Sequence, residues 1–327
     1  MRPRIKQIAG IAAAFVVSFT AAVIALPQLP VVEGRRTSAH KMPEFEVPAD
    51  AFFIYSTGDE LSQMVLYHGL GDSIAHARQA DILFVGDSRM PLGLREEVIV
   101  PEAGKLGLRV FSLGCGHVEK VRFALDLIRK HDLRPKLVVV AGGSHIFFEG
   151  LSEPAEQAEE LTHWQAWKAW TEAEGAWAIQ QRLHSWLPKI DWFGPGLSFP
   201  WIVYRSSRTG WWLPVREPNG SYPVGFDKEA PSYYERALPL AREFKEELDR
   251  RGAGLVLTVV PYGNTRFGHL PYLARELGVP TVVPSFDGLF TSDGSHLNRA
   301  SAEQYSKLFW SQFIALPQVR GKLALDG

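Results

Sequence analysis

Three short stretches of this chain are apolar almost without a break: Ile82-Leu-Phe-Val-Gly86, Leu137-Val-Val-Val-Ala141 and Leu255-Val-Leu-Thr-Val-Val260. A strand with one wet face alternates apolar and polar residues, whereas a strand apolar on both sides has to be covered on both. Runs of this kind call for a parallel sheet with helices on either face, the chain crossing over between strands. The intervening sequence supplies the helices: across His117–His131, Val118, Val121, Leu125 and Ile128 recur at helical spacing. Further helices are expected near 72–79, 92–106, 232–251, 267–277 and 301–313, and shorter strands at Arg109–Leu113 and Pro280–Val283. The fold class is α/β.

Composition narrows the chemistry. The 327 residues carry a net charge of −1, with basic residues dispersed along the chain. No stripe of basic and aromatic side chains recurs, so no nucleic-acid partner is expected. Cys115 is the only cysteine, which excludes an intrachain disulfide and a multi-cysteine zinc or iron–sulfur site. It follows an apolar run, where a buried structural thiol is the expected state; a single cysteine is also a nucleophile type.

The run Ile8–Leu26 is uncharged, follows Arg2, Arg4 and Lys6, and is closed by Pro27 and Pro30. At helical rise it nearly matches a hydrocarbon core of about 30 Å, and its basic flank places the body outside the cytoplasm. Residues 1–30 are thus expected to be a membrane anchor, or else a cleaved signal, and 31–75 a stalk rich in Pro and charge. The α/β domain is expected over 76–315, with 316–327 as a tail. Alternation breaks at 150–230, which holds every tryptophan but Trp310 and reads as an insertion or lid.

In an open α/β sheet, ligands gather beyond the carboxyl ends of the strands. The first apolar run ends there in Gly86-Asp87-Ser88-Arg89. A serine at such a turn is exposed beside partly positive helix-start amides, as a nucleophile requires; Asp and Ser there also suit a simple helix cap. The same letters at Gly71-Asp72-Ser73 follow no strand and read as a cap. Near the C terminus stands Asp293-Gly294-Ser295-His296, between a strand and the last helix. An aspartate and a histidine on one loop can meet, the carboxylate fixing the ring tautomer while the other nitrogen takes a proton. The alternative is a surface loop whose aspartate caps a turn. His117 and His145 also lie near strand ends, but no metal-ligand spacing accompanies them, and no metal or other cofactor is expected.

Taken together, Gly86-Asp87-Ser88 after the first strand, a glycine after the second, and Asp293-x-x-His296 before the last helix resemble the SGNH/GDSL hydrolase superfamily. The resemblance covers roughly 76–315 apart from the insertion. It implies a flavodoxin-like three-layer α/β/α sandwich, with Ser88 as nucleophile, His296 as general base and acid, and Asp293 as the orienting carboxylate. It also implies an oxyanion hole formed by the Ser88 amide, a glycine amide after the second strand, and an asparagine after the third. Gly114 or Gly116 fits the second position, Gly114 standing closer to the strand end. At the third position the chain departs from the pattern: Gly142-Gly143-Ser144-His145 has no asparagine, and Ser144 is the expected substitute. Losing one such donor costs about 10²- to 10³-fold in turnover.

Trp164, Trp167, Trp170 and Trp177 fall on one broad helical face and read either as packing or as a platform. Trp211 and Trp212, between Gly210 and Pro214, are expected to be exposed and to bind substrate. The expected activity is that of a serine esterase or O-acyltransferase acting through an acyl-enzyme on acyl, chiefly acetyl, esters. The expected substrate is an envelope or extracellular glycan, or a small ester. A membrane protein that donates the acyl group is a possible partner. The expected place is the outer side of the cytoplasmic membrane, held by a single span. The rival reading is a catalytically silent glycan-binding or polysaccharide-assembly protein.

Overall fold

A computed structural model describes residues 50–55, 61–116, 119–186, 202–216, 220–228, 230–285 and 287–325. The expected anchor at 1–30, the stalk as far as 49, His117, Trp192, Trp201 and the side chain of Trp177 lie outside the described part. Among the described residues, no helix is long and apolar enough to cross a membrane. The chain divides into two compact units, one of Phe45–Ala166 with Phe199–Gly327, the other of Met1–Glu44 with Trp167–Ser198. In the second, the described part is a stretch of helix.

The elements begin with β1 (Ala51–Tyr55), α1 (Ser62–His68), α2 (Ser73–Ala77), β2 (Ile82–Gly86), α3 (Arg89–Gly93) and α4 (Glu96–Lys105). They continue with β3 (Val110–Ser112), α5 (Val121–Lys130), β4 (Leu137–Ala141), a 3₁₀ turn at Ser144–Phe147, α6 (Glu153–Glu160) and α7 (His163–Trp186). Then come β5 (Ile202–Ser206), β6 (Trp212–Arg216), β7 (Tyr222–Pro223), α8 (Pro231–Arg250) and β8 (Gly254–Thr258). The chain closes with α9 (His269–Leu277), β9 (Thr281–Val282), β10 (Phe290–Thr291), α10 (Arg299–Ala315) and α11 (Pro317–Leu323).

The apolar runs form the central sheet. Its five strands lie in the order β3-β2-β4-β8-β9, all parallel. Every residue of β2 and β4 is buried, as their unbroken hydrophobicity requires. Helices cover the sheet in the manner of a three-layer sandwich. On α5, Arg122 and Arg129 reach across to Glu243 of α8. Elsewhere α10 packs on α3 and α4, where Ser306 accepts from the Arg95 amide at 2.8 Å and donates to the Gly93 carbonyl. Burying a side chain such as Phe84, Phe111 or Phe309 contributes roughly 1.5–3 kcal/mol each.

Two boundary expectations are corrected. The stalk does not extend to 75, because β1 pairs with β5 and the α1 residues Met64, Val65 and Leu66 are buried. Within 150–230, expected as an insertion or lid, β5 and β6 join β1 in an antiparallel sheet, and the β5–β6 turn docks on β3 through Ser112 N–H to the Thr209 carbonyl, 2.8 Å. Residues 316–327 are not a loose tail, since α11 buries Val319 and Leu323 in the main core. In each case a few apolar side chains gain more by joining a neighbouring core than local composition indicates.

Candidate active site

Strand order reverses at β2, since the chain passes first to β3 on one side and then to β4 on the other. The crevice beyond the carboxyl ends of β2 and β4 is therefore the place where an open α/β sheet binds ligands. Gly86, the last residue of β2, pairs with Ala141, the last of β4. A Cβ on Gly86 would lie 2.5 Å from the Ala141 carbonyl oxygen and 2.6 Å from Met90 Cβ, so only glycine admits this tight passage into α3.

Ser88 follows at the head of α3, partly exposed. Its hydroxyl does not cap the helix. It meets His296 Nε2 at 2.9 Å instead, which separates the two readings of the tripeptide. Among the described residues the Ser88 backbone N–H has no acceptor. By contrast Ser73 is fully buried and its hydroxyl has no partner, so the second Gly-Asp-Ser copy holds no comparable pair.

His296 Nδ1 lies 2.8 Å from Asp293 Oδ2. The other carboxylate oxygen, Oδ1, accepts from the backbone N–H groups of Ser295 (2.9 Å) and His296 (2.8 Å). Burial by itself would raise the Asp293 pKa, but the imidazole and these two amides outweigh it and hold the carboxyl at about 2. Gly294, at φ +85°, turns the loop, its N–H on Thr291 Oγ1 (3.1 Å) and its carbonyl on the Gly263 N–H (3.0 Å). Asn298 then caps α10 by accepting from the Ser301 amide, 3.0 Å. With Asp293 accepting from Nδ1–H, the network assigns the Nε2 lone pair to the serine side. The arrangement can take a proton from Ser88 and return it to a leaving group.

A second set of charges flanks Ser88. Asp87 is buried, with its Oδ2 on Arg89 Nη1 (3.1 Å) and on His145 Nε2 (3.2 Å), and its Oδ1 on the Arg89 amide (3.0 Å). Burial would raise the Asp87 pKa, yet Arg89 and then His145 hold it at about 2. The Arg89 guanidinium stacks over the Tyr262 ring at 4.0 Å. Burial pushes the Tyr262 hydroxyl above its ordinary value, and Arg89 opposes that. Sequence reasoning missed Tyr262; its place just past β8, on the carboxyl edge of the sheet, was the available signal.

The expected oxyanion donors differ in their surroundings. The Gly114 N–H donates to Ser112 Oγ within its own loop at 3.2 Å. Ser144 is buried at the start of the 3₁₀ turn. The preceding Gly143 N–H has no acceptor among the described residues. Cys115 is buried, its thiol on the Leu113 carbonyl at 3.6 Å.

Trp211 and Trp212 are corrected. Trp211 is fully buried, its ring 5.3 Å from that of Phe84 and its Nε1–H on the Leu94 carbonyl; Trp212 is also buried. Neither offers a face to a substrate. Among the described tryptophans, Trp164 and Trp167 on α7 are the exposed ones, at 66% and 41%, while Trp170 is half-buried. Among the described residues no three His, Cys, Asp or Glu side chains are placed to hold a metal ion.

No protein-family model, curated protein or solved structure matches this chain.

Proposed function

We propose that the chain is a serine esterase or O-acyltransferase of the SGNH/GDSL kind, acting on acyl esters of an envelope or extracellular glycan. The observation that carries this reading is the relay Ser88 Oγ to His296 Nε2 at 2.9 Å and His296 Nδ1 to Asp293 at 2.8 Å. The 2-1-3-4-5 order of the parallel strands is that of flavodoxin-like sheets and agrees with it.

In this reading Ser88 Oγ attacks the ester carbonyl carbon while His296 Nε2 takes the hydroxyl proton. The tetrahedral oxyanion is met by the Ser88 amide and by donors of the Gly142–Ser144 turn. Collapse expels the alcohol, which leaves with the proton from His296, and Ser88 carries the acyl group. Water or an acceptor hydroxyl, deprotonated by His296, then removes it. Asp293 holds the ring and stabilises the imidazolium. Ile8–Leu26 would tether the domain outside the cytoplasmic membrane, and an alkaline phosphatase fused at the C terminus is then active only on the exported side.

The test is turnover of p-nitrophenyl acetate and labelling by a fluorophosphonate. Ser88→Ala should abolish both, and Ser73→Ala neither. Asp293→Asn should lose roughly 10³- to 10⁴-fold in kcat, because the wrong ring tautomer then faces Ser88. A wild-type protein inert to both reagents and to acetylated glycans would favour the glycan-binding reading, which the asparagine-free Gly142–His145 turn also fits.

A further inference from the structure

The segment 220–227 threads between the two loops that flank the candidate site. On one side it meets the Asp293–His296 loop. Tyr222 pairs with Thr291, the Tyr222 carbonyl accepts from Thr291 Oγ1, and a Cβ on Gly220 would lie 2.0 Å from the Ser292 carbonyl oxygen. On the other side it meets the loop after β8. The Gly225 N–H donates to the Tyr262 carbonyl, the Thr265 N–H to the Gly225 carbonyl, and Arg266 pairs with Asp227 at 2.8 Å. Tyr262 carries the Arg89 guanidinium on its face, one residue from Ser88. The segment is thereby fixed to both halves of the site.

What it presents is aromatic and uncovered. Tyr222 is 55% exposed and Phe226 59%, and Phe226 stands edge-on to Phe267 with centroids 5.7 Å apart. Asp227, Lys228 and Arg266, all exposed, stand beside them. Flat rings flanked by hydrogen-bonding charges suit the C–H face of a pyranose, whose hydroxyls still need polar partners. A long acyl chain would instead call for a closed apolar tunnel.

We propose that Tyr222 and Phe226, the latter backed edge-on by Phe267, form the sugar-binding rim of the site and hold the glycan alcohol of the ester. The inference rests on the ester-chemistry reading for its chemistry, but binding tests it independently. In a Ser88→Ala background, a panel of O-acetylated xylan, alginate and peptidoglycan oligosaccharides is titrated by calorimetry. At least one should bind, and Tyr222→Ala combined with Phe226→Ala should weaken it about 10-fold, two stacking contacts being lost. In the active protein the same pair should raise KM on that oligosaccharide more than it lowers kcat. Both side chains are exposed, so circular dichroism should be unaltered. No binding by any panel member, or binding indifferent to the double substitution, overturns the proposal. So does a variant that discriminates acetyl from octanoyl esters of one alcohol, since the rim would then hold the acyl chain. Binding that responds to the rim in a protein without esterase activity would sink the catalytic reading and leave the rim standing.

Discussion

Asp87 concentrates several constraints in one side chain. It is buried, yet it stays ionised because Arg89 and His145 both face it. Its folded pKa of about 2 lies below the ordinary 3.8, so the stability it contributes is fully present above that value and is lost as pH falls through about 2. Asp87→Asn should therefore destabilise the protein by about 2 kcal/mol near neutrality, and the difference from wild type should shrink between about pH 4 and pH 2. Urea unfolding at a series of pH values measures this; a difference independent of pH would mean that packing, not charge, is what Asp87 supplies. Asp293 obeys the same sign, with its carboxyl also at about 2. It therefore remains an anion, able to orient His296, throughout the range in which an esterase is assayed.

At the scale of elements, Arg205 is one of the contacts that join the β1-β5-β6 sheet to the site. It is fully buried on β5 and donates to the carbonyls of Gly114 (2.8 Å) and Ser112 (2.5 Å), fixing the loop after β3. That loop continues to Cys115, whose N–H binds the Gly86 carbonyl at 3.1 Å, beside the turn that presents Ser88. Arg205→Met should lower kcat on a small ester by about 10- to 100-fold through misplacement of that loop, with a smaller change in KM. Arg205→Lys, which keeps the charge but not the two-carbonyl fork, should recover only part of the loss. Equal activity in all three proteins, with only Tm altered, would reduce Arg205 to a structural role. Trp211 belongs to the same junction, and Trp211→Ala should cost about 3–5 kcal/mol of stability, measured by denaturant unfolding.

Over the whole molecule, a charge network links α5 to α8, and Asp126 of α5 is a carboxyl strained by burial. Burial, and then the neighbouring Glu159, raise its pKa from 3.8 to about 6. The sign is opposite to that of Asp87: the folded state holds the proton more tightly, so this carboxyl costs stability as pH rises from about 4 to 6. Asp126→Asn should stabilise the protein at pH 7 by about 1 kcal/mol, allowing for its partial access to water, and the gain should vanish below about pH 4. Differential scanning calorimetry at both pH values should show a Tm increase of roughly 2–4 °C only at the higher one.

The sequence by itself determined what periodicity and residue type control. Continuous apolar runs admit only doubly covered strands, so β2, β4 and β8 and the intervening helices were legible. Because ligands collect at strand ends, Ser88, Asp293 and His296 could be placed on one edge of the sheet before any contact was known. Whether Ser88 caps a helix or meets an imidazole was a choice between two local possibilities, and only the 2.9 Å approach of a residue more than two hundred positions away made it. The same holds for the rest. Tryptophans beside glycine and proline read as exposed, yet Trp211 fills a space bounded by Phe84 and Leu94, while Trp164 and Trp167 find no such space. That the Gly114 amide meets Ser112 Oγ was likewise beyond the reach of local pattern. Burial and hydrogen-bond partnership depend on what packs opposite, and that is set by tertiary contacts between segments whose local patterns carry no record of one another.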